Sequence, residues 1–485
     1  MGGDLASITE GIEEIFGKIP GMIQDPSCGI VDPCFKAHDP RLKVQGTRSN
    51  IREAGMTKIG EDGSYAVPMG FGLAVSMWAV AYACRLPVVM APPWLVLTLL
   101  LAAIVWWGMS AGRWTGDGWS AGARAGLVAA ILNMLILGSL LTSSGPGAAT
   151  PSALLWVPGS ILAIAGLAAV AAEIGSRQPG AGDGQNWTGL FAKVAMLATF
   201  LLVVAGGLVT SNEAGLAVVD WPNTFGTNMF LFPLSRMTGG IYYEHAHRLF
   251  GALVGLTTIG LAIRLWRRED RGWIRRLATL AVGLVIVQGV LGGLRVTGGF
   301  TLSTSEADMA PSIALAVTHG VLGQVFLSLI TALVVITSTA WLEASPAEPR
   351  ASAAADRTLQ IWLIGILLLQ LVLGAVQRHM AQGLIIHITI AAVVVMAAVV
   401  VGARAWGLYH GLRPVQHLGQ LLMAGVAVQV ALGIAALAVT QGRAVVGAPT
   451  TLEVTIATAH QATGACLLAL SVALMLWTRR LVKPE

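Results

Sequence analysis

Twelve stretches of this chain are apolar for about as long as a bilayer is thick, and that leaves it few ways to fold. They lie near 66–86, 93–110, 124–143, 151–173, 187–209, 240–264, 273–294, 311–340, 358–376, 383–405, 417–440 and 453–478. A spanning helix needs about 20 apolar residues, because a helix is the form in which a segment satisfies its own backbone inside lipid. Of the 485 residues 55% are apolar and 11% charged, and the mean hydropathy is +0.72. These values exclude a soluble chain. An all-α membrane protein with about 12 transmembrane helices is expected.

Basic residues orient the spans. The run Arg264-Leu-Trp-Arg-Arg-Glu-Asp-Arg-Gly-Trp-Ile-Arg-Arg276 is the strongest basic loop, which the positive-inside rule puts in the cytoplasm. Counting outward, Arg113, Arg124, Arg350, Arg357, Arg404, Arg413, Arg479 and Arg480 fall on the same side, whereas 144–150 and 441–452 carry almost no positive charge. Both termini are then cytoplasmic, in what reads as a bacterial inner membrane. The net charge of +5 is spread over short loops rather than gathered on one face, so nucleic acid is not an expected partner. Residues 1–64 form a polar segment without a basic stretch leading into an apolar run, so no secretory signal is expected. Cys28 and Cys34 stand there with His38 close behind, a possible metal set for which a plain loop is the simpler reading.

The domain pattern follows from composition. Residues 65–175 hold four spans. The Gly- and Pro-rich stretch 176–186 is a linker, and 187–342 and 357–480 hold four spans each.

Those last eight spans carry a histidine pattern. His247 and His319 are 72 residues apart, His387 and His460 are 73 apart, and the second pair follows the first by 140 and 141. Each has a small residue four positions on (Gly251, Gly323, Ala391, Gly464), one turn along the same face. That reads as a slot for a flat ring beside each imidazole. The alternate helices echo one another too: Gln288-x-x-Leu291-Gly292, Gln370-x-x-Leu373-Gly374 and Gln429-x-x-Leu432-Gly433. An even number of spans per unit makes the two four-helix repeats parallel. An imidazole in the hydrocarbon zone needs a partner, and an iron with two axial imidazoles satisfies two at once. Two bis-histidine haem sites are expected, both toward the outer face and about 10 Å below it at 1.5 Å per residue. The first four spans contain no histidine, so they are expected to be dispensable for haem chemistry.

The two sites differ in one respect. Glu244 stands three residues before His247 and so one turn up the same face, where a partly desolvated carboxylate could move protons. Its counterpart before His387, in Gly383-Leu384-Ile385-Ile386, is not ionisable. The first site reads as reactive and the second as electron-transferring or structural. A plainer reading of Glu244 pairs it with Arg248. Arg378 and His379, in a short outer loop, could meet a haem propionate or face water.

Glu244-x-x-His247-Arg248 and the loop Gly215-Leu-Ala-Val-Val-Asp-Trp-Pro222 resemble the signature of the haem A synthase family. Thr318-His319-Gly320, His387 and Ala459-His460-Gln461 fall where that family has its other histidines. The resemblance covers about 187–480. It implies oxidation of the C8 methyl of haem O to a formyl group, giving haem A for cytochrome oxidase. It further implies that His247 and His319 face the haem O substrate, with Glu244 as acid/base, and that His387 and His460 ligate a resident haem b. Arg248 and Arg378 would help to bind the haems. Haem O synthase and cytochrome oxidase assembly factors would be partners, the lipid bilayer the setting, and the electron acceptor unknown.

Two features depart from the family pattern. Residues 210–240 lack the cysteine pair that many bacterial members carry, and the four-span N-terminal unit is foreign to the usual eight-span plan. The rival reading is a dihaem electron-transfer protein of cytochrome b type, which generally places its haems on opposite faces of the membrane. A transporter, prompted by the repeat, lacks an ion-coupling carboxylate in each half.

Overall fold

The computed structural model describes residues 65–138, 153–182, 185–297, 312–441 and 448–485. The segment 1–64, with Cys28, Cys34 and His38, lies outside the described residues, as does the 144–150 loop. Among the described residues, twelve helices are long and apolar enough to cross a membrane. In chain order they are α1 (Ala66–Arg85), α2 (Pro93–Thr115), α3 (Gly118–Leu137), α4 (Ala153–Ser176), α5 (Trp187–Ser211) and α6 (Gly239–Arg268). The rest are α7 (Gly272–Thr297), α8 (Ile313–Thr337), α9 (Ala353–Met380), α10 (Leu384–Leu408), α11 (Arg413–Gln441) and α12 (Thr451–Leu481).

The helices match the expected spans, most with longer ends. The third differs most, beginning at Gly118 rather than near 124 because a turn through left-handed Gly116 and Gly118 lets it start at once. Helices such as α9 and α12 extend beyond their apolar runs through polar turns. In α12, Thr450 and Glu453 form a capping box in which each side chain bonds the other's backbone N–H.

The N-terminal unit α1–α4 is packed through small residues. Gly108 and Gly112 of α2, and Gly122 and Gly126 of α3, lie against the backbone and Cβ atoms of Ala165, Ala168, Ala171 and Ala172 on α4. In lipid, helices gain little from hydrophobic association, so close backbone approach at such positions supplies dispersion contacts. The unit meets the rest of the chain mainly through α1, which packs on α5 and touches α6.

The remaining eight helices form two four-helix groups. In the first, α5–α6, α6–α7, α7–α8 and α5–α8 are neighbours, so α6 and α8 stand diagonally opposed. The second repeats this with α9–α12, opposing α10 and α12. The groups meet chiefly through α12, which packs on α8 and α5, and through α8 against α9. At that seam Thr458 Oγ donates to Ser211 Oγ at 3.1 Å.

The basic end of the second group is tied together by its charges. Arg404 Nε donates to Asp356 at 2.5 Å, the Tyr409 hydroxyl donates to the other oxygen of Asp356, and Arg357 donates to the carbonyl of Val482 at 2.7 Å. Burial, with the bond to Asp356, pushes the Tyr409 phenol up to about 12. A short parallel pairing of Glu348–Pro349 with Val482–Lys483 fastens the chain end to the link between the groups.

Candidate functional site

All four histidine-bearing helices run in the same direction, so His247, His319, His387 and His460 collect at one end of the bundle. They lie 8, 6, 3 and 9 residues past the first residues of their helices, Gly239, Ile313, Leu384 and Thr451. The diagonal opposition of α6 with α8, and of α10 with α12, makes them face in pairs. The ring centroids of His247 and His319 are 6.2 Å apart with planes at 88°, and those of His387 and His460 are 6.5 Å apart at 75°.

That spacing has a chemical meaning. Two imidazoles on opposite sides of one metal, with bonds of about 2.0 Å and roughly 1.2 Å from nitrogen to ring centre, have centroids about 6.4 Å apart. The centroid spacing of both pairs matches that distance. Among the described residues no group of three or more His, Cys, Asp or Glu side chains is placed to hold a bare ion. Paired imidazoles alone suit an iron whose other positions are filled by a macrocycle, so these residues fit haem.

The rings are set by glycines on the preceding helices. A Cβ on Gly206 would lie 3.0 Å from Cε1 of His247, on Gly292 3.3 Å from that of His319, on Gly374 3.2 Å from that of His387, and on Gly433 3.0 Å from that of His460. Four helices present a bare backbone to four imidazole edges. This corrects the reading of the small residues four positions after each histidine. A Cβ on Gly323 would be 4.0 Å from the Gln288 amide nitrogen and one on Gly464 would be 3.4 Å from that of Gln429, so these two positions admit a glutamine. At Gly251 no atom comes within 4 Å, and there the slot stands open as expected.

Glu244 and Arg248 occupy the head of α6 above His247. Arg248 Nε donates to Glu244 Oε1 at 3.0 Å, with both side chains buried. The plainer reading of this pair is therefore present in the structure, but it accounts for only one carboxylate oxygen, because Oε2 is buried without a hydrogen-bond partner. The other donors of Arg248 go to the backbone: Nη1 to the carbonyls of Asp220 (2.6 Å) and Asn223 (3.0 Å), and Nη2 to that of Val218 (2.9 Å). Arg248 thus spends its guanidinium on the loop 212–238 rather than turning it toward a ligand. Loss of either partner would leave a buried charge, at a cost of about 3–5 kcal/mol.

The same loop is fixed twice more. The Asp220 carboxylate accepts from the N–H groups of Phe225 and Gly226, both at 2.7 Å, closing a tight hairpin between Asn223–Thr224 and Thr227–Asn228. Nδ1 of the buried His245 lies 3.1 Å from Thr224 Oγ1. The motif Gly215–Pro222 is therefore a lid folded on α6, and Trp221 rests on Gly293 of α7.

Where the two groups meet at the histidine end, a cavity of about 300 Å³ is lined by Thr210, Glu213, Gly215, Leu216, Arg295, Arg378 and His379. Arg378 donates to the Thr210 carbonyl at 2.7 Å. Arg295, in the last turn of α7, lies against Gly215 and within electrostatic reach of Glu244, His247, His319 and His379. It thus borders both the His247–His319 pair and the cavity at the seam. Sequence reasoning passed over Arg295, although an arginine closing an otherwise apolar span was the signal that could have found it. His245 was missed for want of any pattern. Arg378 lines the seam cavity beside Arg295, whereas the guanidinium of Arg248 is taken up by Glu244 and the loop carbonyls.

Residues 189–387 match the COX15-CtaA family, described as cytochrome oxidase assembly protein. A haem A synthase of Bradyrhizobium sp. (strain ORS 278) is 31% identical over 216 residues, covering 38% of this chain and 55% of that protein. A haem A synthase of Shouchella clausii is 33% identical over 119 residues, 24% of this chain and 37% of that protein. A protohaem IX farnesyltransferase of Haloarcula marismortui is 28% identical over 147 residues, 30% of this chain and 29% of that protein. The chain thus spans about half the length of the Bradyrhizobium relative. The resemblance read from the motifs is borne out over 189–387, the first four-helix group and the start of the second, and the four N-terminal spans precede that region.

Proposed function

We propose that this chain is a haem A synthase, in which the first four-helix group receives haem O as substrate and the second keeps a resident haem b. The observation that carries the reading is an asymmetry. Two imidazole pairs share one geometry, but only the first has a buried carboxylate with an unpartnered oxygen one turn above it. Likeness to haem A synthases supports it, as does the family match over 189–387.

The reaction converts the C8 methyl to a formyl group: R–CH3 + H2O → R–CHO + 4 H⁺ + 4 e⁻. Four protons and four electrons must leave, the electrons for an acceptor of unknown identity. His247 and His319 would hold the substrate from its two faces and fix where its edge lies. Glu244 Oε2 takes protons released at that edge, while Oε1 stays bonded to Arg248 and keeps the carboxylate in place. The lid 212–238, pinned by Arg248, His245 and Asp220, excludes water from this end. His387 and His460 would hold haem b, which supplies one-electron steps. Arg295 and Arg378, from the two groups, are placed to meet carboxylates at the seam. In this reading the histidine end is the outer face and the basic end cytoplasmic.

The farnesyltransferase likeness supports a place beside the step that supplies a farnesylated haem, making a haem O synthase and cytochrome oxidase assembly factors the partners. The test is haem extraction from the purified chain, produced in cells that make haem O, with separation by chromatography. Haem A together with haem b is expected, and H387A should remove haem b. Haem b alone from the parent, with no haem O or A, would return the chain to the dihaem cytochrome reading.

A further inference from the structure

Each imidazole has a companion position on the preceding helix, four residues before the glycine that cradles it. That position is Gln288 for His319, Gln370 for His387 and Gln429 for His460, but Leu202 for His247. The amides reach the histidines. Gln288 Nε2 donates to the His319 carbonyl at 3.2 Å. Gln370 Nε2 donates to the His387 carbonyl at 3.0 Å and lies 3.0 Å from its Nδ1. Gln429 Nε2 lies 3.4 Å from His460 Nε2.

The backbone is built to let them in. Gly323 and Gly464, four residues after His319 and His460, are bare where the amides approach, and Ala391 holds that place after His387. Each of the three glutamines also has its Oε1 buried without a hydrogen-bond partner. An imidazole that binds iron through one ring nitrogen keeps its proton on the other, which then needs an acceptor, and a turned amide brings Oε1 toward the ring. Such outer contacts orient a ligating imidazole and set its basicity. At His247 the side-chain amide is missing. The Leu202 side chain has no polar atom and Gly251 opens on space, so no amide reaches His247, whose buried Nδ1 lacks a hydrogen-bond partner as do those of His319 and His460.

We propose that Gln288, Gln370 and Gln429 are positioning residues that clamp three of the four axial imidazoles. Leu202 leaves His247 unclamped, which makes it the exchangeable ligand past which the substrate haem enters and leaves. The proposal rests on the haem reading above and adds a direction to it. The resident haem is clamped on both faces, whereas the substrate is clamped on one.

The test uses the full chain purified with its haem, and follows haem transfer to excess apomyoglobin alongside the low-spin ferric signal in electron paramagnetic resonance. Two phases of release are expected, the fast one from the first site. Q370M and Q429M should speed the slow phase about 10–100-fold, the scale of outer-contact loss at metal sites, and shift the low-spin signal. L202Q should slow the fast phase. A merely destabilised fold cannot tighten haem, so L202Q separates positioning from stability. Parent rates and parent signals in Q370M and Q429M, or an unslowed fast phase in a folded L202Q, overturn the proposal. A parent protein without any bis-imidazole signal would instead defeat the haem reading beneath it.

Discussion

Tyr82 on α1 lies flat on Tyr242 of α6, ring planes 5° apart and centroids 5.6 Å apart, and the Tyr242 hydroxyl donates to the Tyr82 carbonyl at 2.7 Å. Tyr242 is two residues before Glu244. Both Tyr82 and Trp78 also set ring edges against Phe250, three residues after His247. The N-terminal unit, which carries no histidine, thus steadies the helix head that carries Glu244 and His247.

Truncation before residue 184 should therefore act unequally on the two sites. The absence of histidine in the first four spans led to the expectation that they are dispensable, whereas the aromatic contacts of α1 tie them to the helix that carries His247. Removing Tyr82 and Trp78 should loosen α6 and lower haem retention in the first site alone. Y82A should do the same more mildly, since an aromatic pair contributes about 0.5–1.5 kcal/mol beyond its buried area. Haem counted per chain by pyridine haemochrome checks this. Equal loss from both sites in Y82A would show that the contact supports the fold at large.

The glycine cradles give a second, site-selective expectation. A Cβ on Gly433 would sit 3.0 Å from His460 Cε1, tight enough that the imidazole must give way by a few tenths of an ångström. G433A should disturb the low-spin signal of the haem b site and leave the first site unchanged, and G206A should do the reverse through His247. Overpacking of this kind costs about 1–3 kcal/mol, small enough for both variants to fold. Identical spectra for G433A and the parent would mean that the cradle is not in contact when haem is bound.

How far the site could be read from sequence depends on the range of each interaction. The spans, the repeat and the histidine pairing were legible because hydropathy and spacing are periodic properties of the chain. Glu244 was legible because it lies one helical turn from His247. The glutamine–glycine echo was visible as a pattern, but its purpose was not, since the contact crosses between helices and joins Gln288 to His319 rather than to a neighbour in sequence. The small residues after each histidine were read as slots for the same reason: nothing along one helix reveals what faces it from the next. Arg295 and the lid contacts of Arg248 depend on how loop 212–238 folds back, and no periodicity encodes that.

Glu244→Gln should separate chemistry from architecture. The amide keeps an oxygen for Arg248 Nε, so the pair that holds the lid carbonyls of Val218, Asp220 and Asn223 survives in outline. What is lost is the negative charge and the proton-accepting capacity of Oε2, the oxygen that has no other work in the structure. Glu244→Ala, by contrast, would strand Arg248 and loosen the lid as well, so it cannot distinguish the two roles. With E244Q the haem b signal should be unchanged and haem O should still bind between His247 and His319. Conversion should fall on the order of a hundredfold or more, the usual scale for loss of a general acid–base group. Haem O, or a partly oxidised hydroxymethyl form, should then accumulate and be seen by chromatography of the extracted haems. A normal yield of haem A from E244Q would leave Glu244 as nothing more than the partner of Arg248, and the proton acceptor would have to be sought elsewhere around the first pair.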